Sequence, residues 1–169
     1  MYLFVTVGST KFDELIEFID NEEFHFFLKK KGFEYMTIQI GNGTYVPKLI
    51  YKNKEDNNFL KKVNYFTFKN SLDDFYERAD LILSHAGAGT TIECLRKKKK
   101  ILIVVNTNLM NNHQMEFAEY MYSCNYLEMC KDLNTLKDNI HICLKKKYKI
   151  LPKPNVQNFL QDLKVLMNK

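Results

Sequence analysis

Residues 81–95, Leu-Ile-Leu-Ser-His-Ala-Gly-Ala-Gly-Thr-Thr-Ile-Glu-Cys-Leu, constrain the fold of this chain more than any other stretch. A short apolar run enters a turn bearing Gly87 and Gly89, and the turn opens directly onto a helical pattern. Such a strand-turn-helix unit belongs in a parallel sheet whose strands are joined by crossover helices. The two glycines let the backbone bend sharply and let a ligand come close, because no Cβ intervenes. The helix that follows presents unpaired N–H groups and the positive end of its dipole at the same spot, which suits an anion. Glu93 lies one turn into that helix, where a carboxylate can accept from sugar hydroxyls beside a bound phosphate.

The residues around the turn exclude two other ways of holding phosphate. The dinucleotide fingerprint G-x-G-x-x-G needs a third glycine, and Ile92 stands in its place. The P-loop ends in Gly-Lys-Ser/Thr, a run found nowhere in this chain. A glycine turn can also serve helix–strand packing alone. The turn and Glu93 together point instead to a nucleotide-sugar site.

Apolar runs alternate with helical patterns along the remaining sequence. Strands are predicted over 2–7, 35–40, 63–68, 81–83, 101–105 and, as an edge strand, 126–129. Helices are predicted around Phe12, Leu15, Ile16 and Ile19, from Ser71 as a cap through Tyr76, and over 90–98, 112–122, 133–145 and 156–167. The fold class is α/β, a single Rossmann-like domain over 1–169 with a mainly parallel sheet. Pro152 and Pro154 set off the last helix, about 155–168, whose apolar stripe suits docking on a partner.

Composition narrows the setting. The N-terminal apolar run is too short for a signal peptide, and no stretch reaches the roughly 18 apolar residues of a membrane span. The expected location is therefore cytoplasmic. Cys94, Cys124, Cys130 and Cys143 show neither C-x-x-C nor zinc spacing and read as reduced thiols. The net charge of +5 comes from lysine clusters at 29–31, 97–100 and 145–147, scattered at helix ends. No nucleic-acid motif accompanies them, so no nucleic-acid partner is expected; weak attraction to an anionic membrane face fits better.

A second polar cluster follows the strand at 101–105: Asn106-Thr-Asn-Leu-Met-Asn-Asn-His-Gln. In open α/β sheets ligands bind beyond the carboxyl ends of strands, and both clusters follow such ends. Asn112, His113 and Gln114 crowd amide and imidazole groups at a helix start, suited to the hydroxyls and amide of a sugar; a solvated helix cap is the plainer alternative.

Four motifs in order carry a family resemblance. They are Phe4-Val5-Thr6-Val7-Gly8-Ser9-Thr10 with Phe12-Asp13, Ile38-Gln39-Ile40-Gly41, Ala79-Asp80 through Gly89, and Leu109-Met110-Asn111-Asn112-His113-Gln114. Together they resemble the cytosolic catalytic subunits of the two-subunit UDP-N-acetylglucosamine transferases of the endoplasmic reticulum. The resemblance implies the C-terminal, donor-binding half of a GT-B glycosyltransferase, similar to that half of the bacterial lipid II GlcNAc-transferase. It implies beta-1,4 transfer of GlcNAc from UDP-GlcNAc to GlcNAc-pyrophosphoryl-dolichol, the second step of N-glycan precursor assembly. Gly8, Ser9 and Thr10 would face the diphosphate. Within the second phosphate turn, His85 to Thr90, Gly87, Ala88 and Gly89 would shape the backbone, and Glu93 would bind ribose. Asn111, Asn112, His113 and Gln114 would contact GlcNAc or the diphosphate.

Transfer leaves a diphosphate with growing negative charge, which turn amides and a helix N-terminus can stabilise. No Asp-x-Asp metal motif occurs, so neither metal nor other cofactor is expected. An inverting transfer needs a general base. The resemblance implies that base on a membrane-anchored, acceptor-binding partner that also holds dolichyl-pyrophosphate-GlcNAc and recruits the chain to the cytosolic face of the endoplasmic reticulum. His85 and His113 are the fallback candidates. A non-enzymatic nucleotide-sugar-binding regulatory protein is the alternative.

Overall fold

A computed structural model describes residues 1–50, 58–106 and 112–153, with only the helical backbone described for Asn112 and His113. Six strands, β1 (Tyr2–Thr6), β2 (Tyr35–Gln39), β3 (Lys62–Phe66), β4 (Leu81–Ser84), β5 (Ile101–Val104) and β6 (Glu128–Cys130), form one sheet. Six helices join or follow them: α1 (Asp13–Ile19), α2 (Glu22–Lys30), α3 (Asp73–Arg78), α4 (Ala88–Arg96), α5 (Asn112–Ser123) and α6 (Leu136–Lys145). The strand order is β3-β2-β1-β4-β5-β6, and every pairing is parallel.

That order follows from a reversal. The chain builds outward from β1 to β3, then returns to lay β4 on the other side of β1, with Thr6 beside Ser84. Between β1 and β4 the connections leave in opposite directions, which opens a crevice at the carboxyl ends of those two strands.

The strands are apolar on both faces because helices cover both. Leu3, Val5, Leu83 and Val104 pack with α1, α2 and α6 in one layer, while Phe4, Ile82, Ile101 and Ile103 pack with α3, α4 and α5 in the other. Successive side chains of β1 thus enter different cores, as strand geometry requires. Phe4 anchors the second layer, its ring 5.1 Å from Phe75 and 5.8 Å from Tyr76.

Several elements depart from the sequence pattern. Helix α2 is not among the predicted helices, although Phe24, Phe27 and Leu28 recur at i, i+3 and i+4 on one face, with Phe26 exposed on the other. Its cap is nevertheless written in the sequence: Asn21 Oδ1 accepts from the Phe24 N–H at 2.8 Å, with Glu22 and Glu23 in the first turn. Ser71 does not cap α3; Leu72 stands at that position, and the Ser71 hydroxyl accepts from the Asp73 N–H at 3.1 Å. The edge strand begins two residues later than expected, because the Tyr126 N–H is still bonded to Met121 of α5.

The lysine clusters that look scattered in sequence are gathered by the fold. Lys98 to Lys100 and Lys145 to Lys147, with Lys149, line one groove of about 470 Å³ at the amino-terminal edge of the sheet. That edge lies opposite the crevice between β1 and β4. No helix among the described residues is long and apolar enough to cross a membrane. The C-terminal helix expected at 155–168 lies outside the described residues.

Candidate functional site

The turn after β1 and the turn after β4 meet around one side chain. His85, 8% exposed, follows β4 directly, and its N–H donates to the Thr6 carbonyl at 3.2 Å. Its ring fills the gap between the turns. A Cβ built on Gly8 would lie 2.6 Å from His85 Cε1, and one on Gly87 would lie 2.6 Å from Nε2. Gly8 also has φ of +60°, a left-handed conformation that side chains disfavour. Both glycines are therefore required by the imidazole packed between them.

Burial lowers the pKa of His85 below its ordinary value, and the nearby Thr6 carbonyl opposes this only in part. Nδ1 is buried and makes no hydrogen bond among the described residues. A ring held neutral by burial, with Nδ1 turned into the protein, suits a spacer between the two turns.

Helix α4 starts at Ala88 without a side-chain cap. Gly87 takes the capping position, its carbonyl accepting from the N–H of Thr91 at 3.0 Å and from the Thr91 hydroxyl at 2.8 Å. The exposed first turn thus offers its N–H groups at the crevice. Gly89 differs from the other glycines, since a Cβ there would meet nothing within 4 Å. The protein does not need this glycine for packing, and the space beside it is open.

From Ala88 and Gly89 a groove of about 740 Å³ runs along α4, lined by Ile92, Glu93, Arg96, Lys97 and, from α3, Asp73. Glu93 is exposed in it and faces Asp73. Lys97, bonded to Asp73 at 2.8 Å, holds the Asp73 carboxyl below its usual range, helped by the Ser71 hydroxyl. Asp73 joins the groove only through the packing of α3 on α4. Its sequence position signals nothing beyond a helix start.

The second polar cluster reaches the same edge. Asn106 follows β5 and donates through Nδ2 to the Lys11 carbonyl at 3.3 Å, tying the loop after β5 to the loop after β1. Helix α5 begins at Asn112, and Gln114 is half-buried in its first turn. Asn111 lies outside the described residues. The backbone start of α5 follows the carboxyl end of β5, while Gly87 follows that of β4, so both clusters belong to one edge of the parallel sheet.

Two of the thiols are held protonated by the core around them. Burial pushes Cys94 up to about 12 and Cys143 up to about 11. Among the described residues no three His, Cys, Asp or Glu side chains are grouped as a metal would need.

The family model of the glycosyltransferase family 28 C-terminal domain matches residues 2–167. The chain belongs to that family. It is 39% identical over 127 residues to the UDP-N-acetylglucosamine transferase subunit ALG13 of Mus musculus, covering 75% of this chain and 10% of the mouse protein. To the protein of the same description from Yarrowia lipolytica it is 33% identical over 137 residues, 80% of this chain and 68% of that one. The chain thus spans about a tenth of the mouse relative and about two thirds of the yeast one. Among solved structures, the NMR structure of ALG13 superposes with a TM-score of 0.65 at 25% identity, over 96% of this chain and 94% of that chain. MurG of Acinetobacter baumannii superposes with a TM-score of 0.64 at 16% identity, over 96% of this chain and 48% of that one. The fold of this family 28 domain is that of the C-terminal half of a GT-B glycosyltransferase.

The packing of His85 has a direct consequence. Gly87→Ala is expected to destabilise the family 28 domain by about 1–3 kcal/mol through overpacking, and His85→Ala in the same chain to relieve most of that loss. Urea unfolding of the two single variants and the double variant measures the coupling, and simple additivity would refute the wedge. The titration of His85 also has a fixed sign. The unfolded ring takes up its proton near 6.5 while the folded ring resists it. Its contribution is therefore complete above about 6.5 and is lost as pH falls from there toward the depressed folded value. The wild-type chain should lose more stability between pH 7.5 and 5.5 than His85→Gln, and parallel losses would contradict this.

Proposed function

We propose that this domain binds UDP-GlcNAc and is the donor-binding, catalytic subunit of an inverting N-acetylglucosaminyltransferase. The acceptor in this reading is GlcNAc-pyrophosphoryl-dolichol, extended through a beta-1,4 linkage in the second step of N-glycan precursor assembly. The observation that carries the proposal is the meeting of two glycine turns and the uncapped start of α4 around His85, beside a groove holding Glu93. Membership of family 28 and relatives described as UDP-N-acetylglucosamine transferase subunits support the same reading.

In the proposed reaction the anomeric C–O bond to the diphosphate breaks as the acceptor oxygen attacks from the opposite face. The Ser9 amide of the Gly8–Thr10 turn and amides of the first turn of α4 meet the charge that grows on the leaving diphosphate, in place before the reaction begins. Glu93 accepts from ribose hydroxyls. Asn111, Asn112, His113 and Gln114 address GlcNAc or the diphosphate. The general base and the lipid site belong to a membrane-anchored partner, a role consistent with the word subunit in the relatives' descriptions. That partner would hold the domain at the cytosolic face of the endoplasmic reticulum, with the C-terminal helix at 155–168 as its docking element.

Replacing Glu93 by Gln keeps its shape and removes a charged acceptor worth roughly 1.5–3 kcal/mol, so UDP affinity should fall about ten- to a hundredfold. Calorimetry that finds unchanged affinity in a folded Glu93→Gln chain would remove Glu93 from the site. The reaction is proposed to need no metal. Transfer to a dolichyl-pyrophosphate-GlcNAc acceptor, assayed with the partner present, should survive EDTA; a loss that Mn²⁺ restores would contradict this. Donor binding with no transfer under any of these conditions would favour the non-enzymatic, regulatory alternative.

A further inference from the structure

All three carbonyls of the turn after β1 are held by one segment, residues 39–42. Gln39 Nε2 donates to the Gly8 carbonyl at 3.2 Å, and Asn42 Nδ2 donates to the Ser9 carbonyl at 2.7 Å. The backbone N–H of Asn42 donates to the Thr10 carbonyl at 3.2 Å. The N–H groups of the turn are divided differently. That of Gly8 donates to the Thr6 hydroxyl at 3.2 Å and that of Thr10 to the Val7 carbonyl at 3.1 Å. The Ser9 N–H has no acceptor among the described residues.

Peptide planarity fixes where that N–H points. Within one trans peptide the C=O and the following N–H lie in one plane and point in opposite directions. Tying the Gly8 carbonyl toward β2 therefore turns the Ser9 N–H away from β2, toward the β4 side and the open crevice. Gln39 can impose this because it is itself fixed: it is 4% exposed, and its Oε1 accepts from the buried Thr6 hydroxyl. The close approach depends on Gly41, at φ of +56°, where a Cβ would lie 2.5 Å from the Gly8 carbonyl and 2.7 Å from that of Thr10. Beyond Asn42 the segment is fastened to α1, since Asp13 accepts from the Thr44 N–H at 2.8 Å and from the Thr44 hydroxyl at 2.6 Å.

We infer that Gln39 and Asn42 are positioning residues that aim the Ser9 N–H at a phosphate of the bound nucleoside diphosphate. The inference rests on the donor-binding reading above and deepens it. Neither residue needs to touch the ligand; both act by setting the peptide planes of the turn, so that a donor is in place before the anion arrives.

The test separates phosphate binding from nucleoside binding. UDP and uridine are titrated into the full chain and followed by amide NMR, for the wild type, Gln39→Met and Asn42→Ser. In the wild type the Ser9 amide should move downfield with UDP and stay in place with uridine. Each variant should bind UDP about tenfold more weakly while binding uridine as the wild type does. Asn42 is exposed, so Asn42→Ser carries the comparison if Gln39→Met fails to fold. Unchanged UDP affinity, an equal loss for UDP and uridine, or a stationary Ser9 amide in a wild-type chain that binds UDP would overturn the inference and leave the donor site standing. A wild-type chain that binds no UDP would overturn both.

Discussion

The contact on which the site depends is the imidazole of His85 set between Gly8 and Gly87. Strand β4 lies directly beside β1, so the turns that leave them must diverge, and divergence opens a gap at the sheet's edge. A side chain rising from the first residue after β4 fills that gap. Its bulk leaves no room for a side chain at Gly8 or at Gly87, which leaves bare backbone at those two positions, one on each side of the crevice. Bare backbone is what a close-approaching anion requires, because peptide N–H groups then become the nearest donors.

A buried polar network holds this arrangement from the β2 side. Thr6 and Gln39 sit on neighbouring strands as register partners, and both are buried. A buried amide and hydroxyl are costly unless satisfied. Here each satisfies the other and the remainder goes to the Gly8 backbone. The same bonds that remove the cost of burial determine the shape of the turn, so stability and geometry are one requirement at this position.

Charge is distributed to match. The densest lysine cluster lies at the amino-terminal edge, away from the crevice. At the carboxyl edge, Lys11 is paired with Asp13, while Lys97, at the far end of α4, is paired with Asp73 and Glu77. Facing the crevice itself are the fixed dipoles of the turn and of the first turn of α4. Such dipoles need no reorganisation when negative charge develops, which suits a leaving group better than mobile lysine side chains.

The residues alone determine a good deal of this protein. Runs apolar on both faces, separated by glycine turns and helical stretches, require a parallel sheet covered on two sides, and Gly8, Gly87 and Glu93 stand out by type and spacing. Local patterns could carry this because strand, turn and helix preferences act over a few residues. Helix α2 shows the limit: Asn21 and its acidic neighbours announce a start and Phe24, Phe27 and Leu28 share a face, but nine residues, with Phe26 off that face, give the period little length in which to show. What only the tertiary structure decides is adjacency. That Gly8 and Gly87 touch the same ring, that Asp73 faces Glu93, that Gln39 and Asn42 orient the Ser9 peptide, and that two distant lysine runs share one groove all follow from strand order and helix packing. These contacts join residues between 20 and about 80 positions apart, and no local preference encodes a pairing at that distance. The reversal between β1 and β4 creates them.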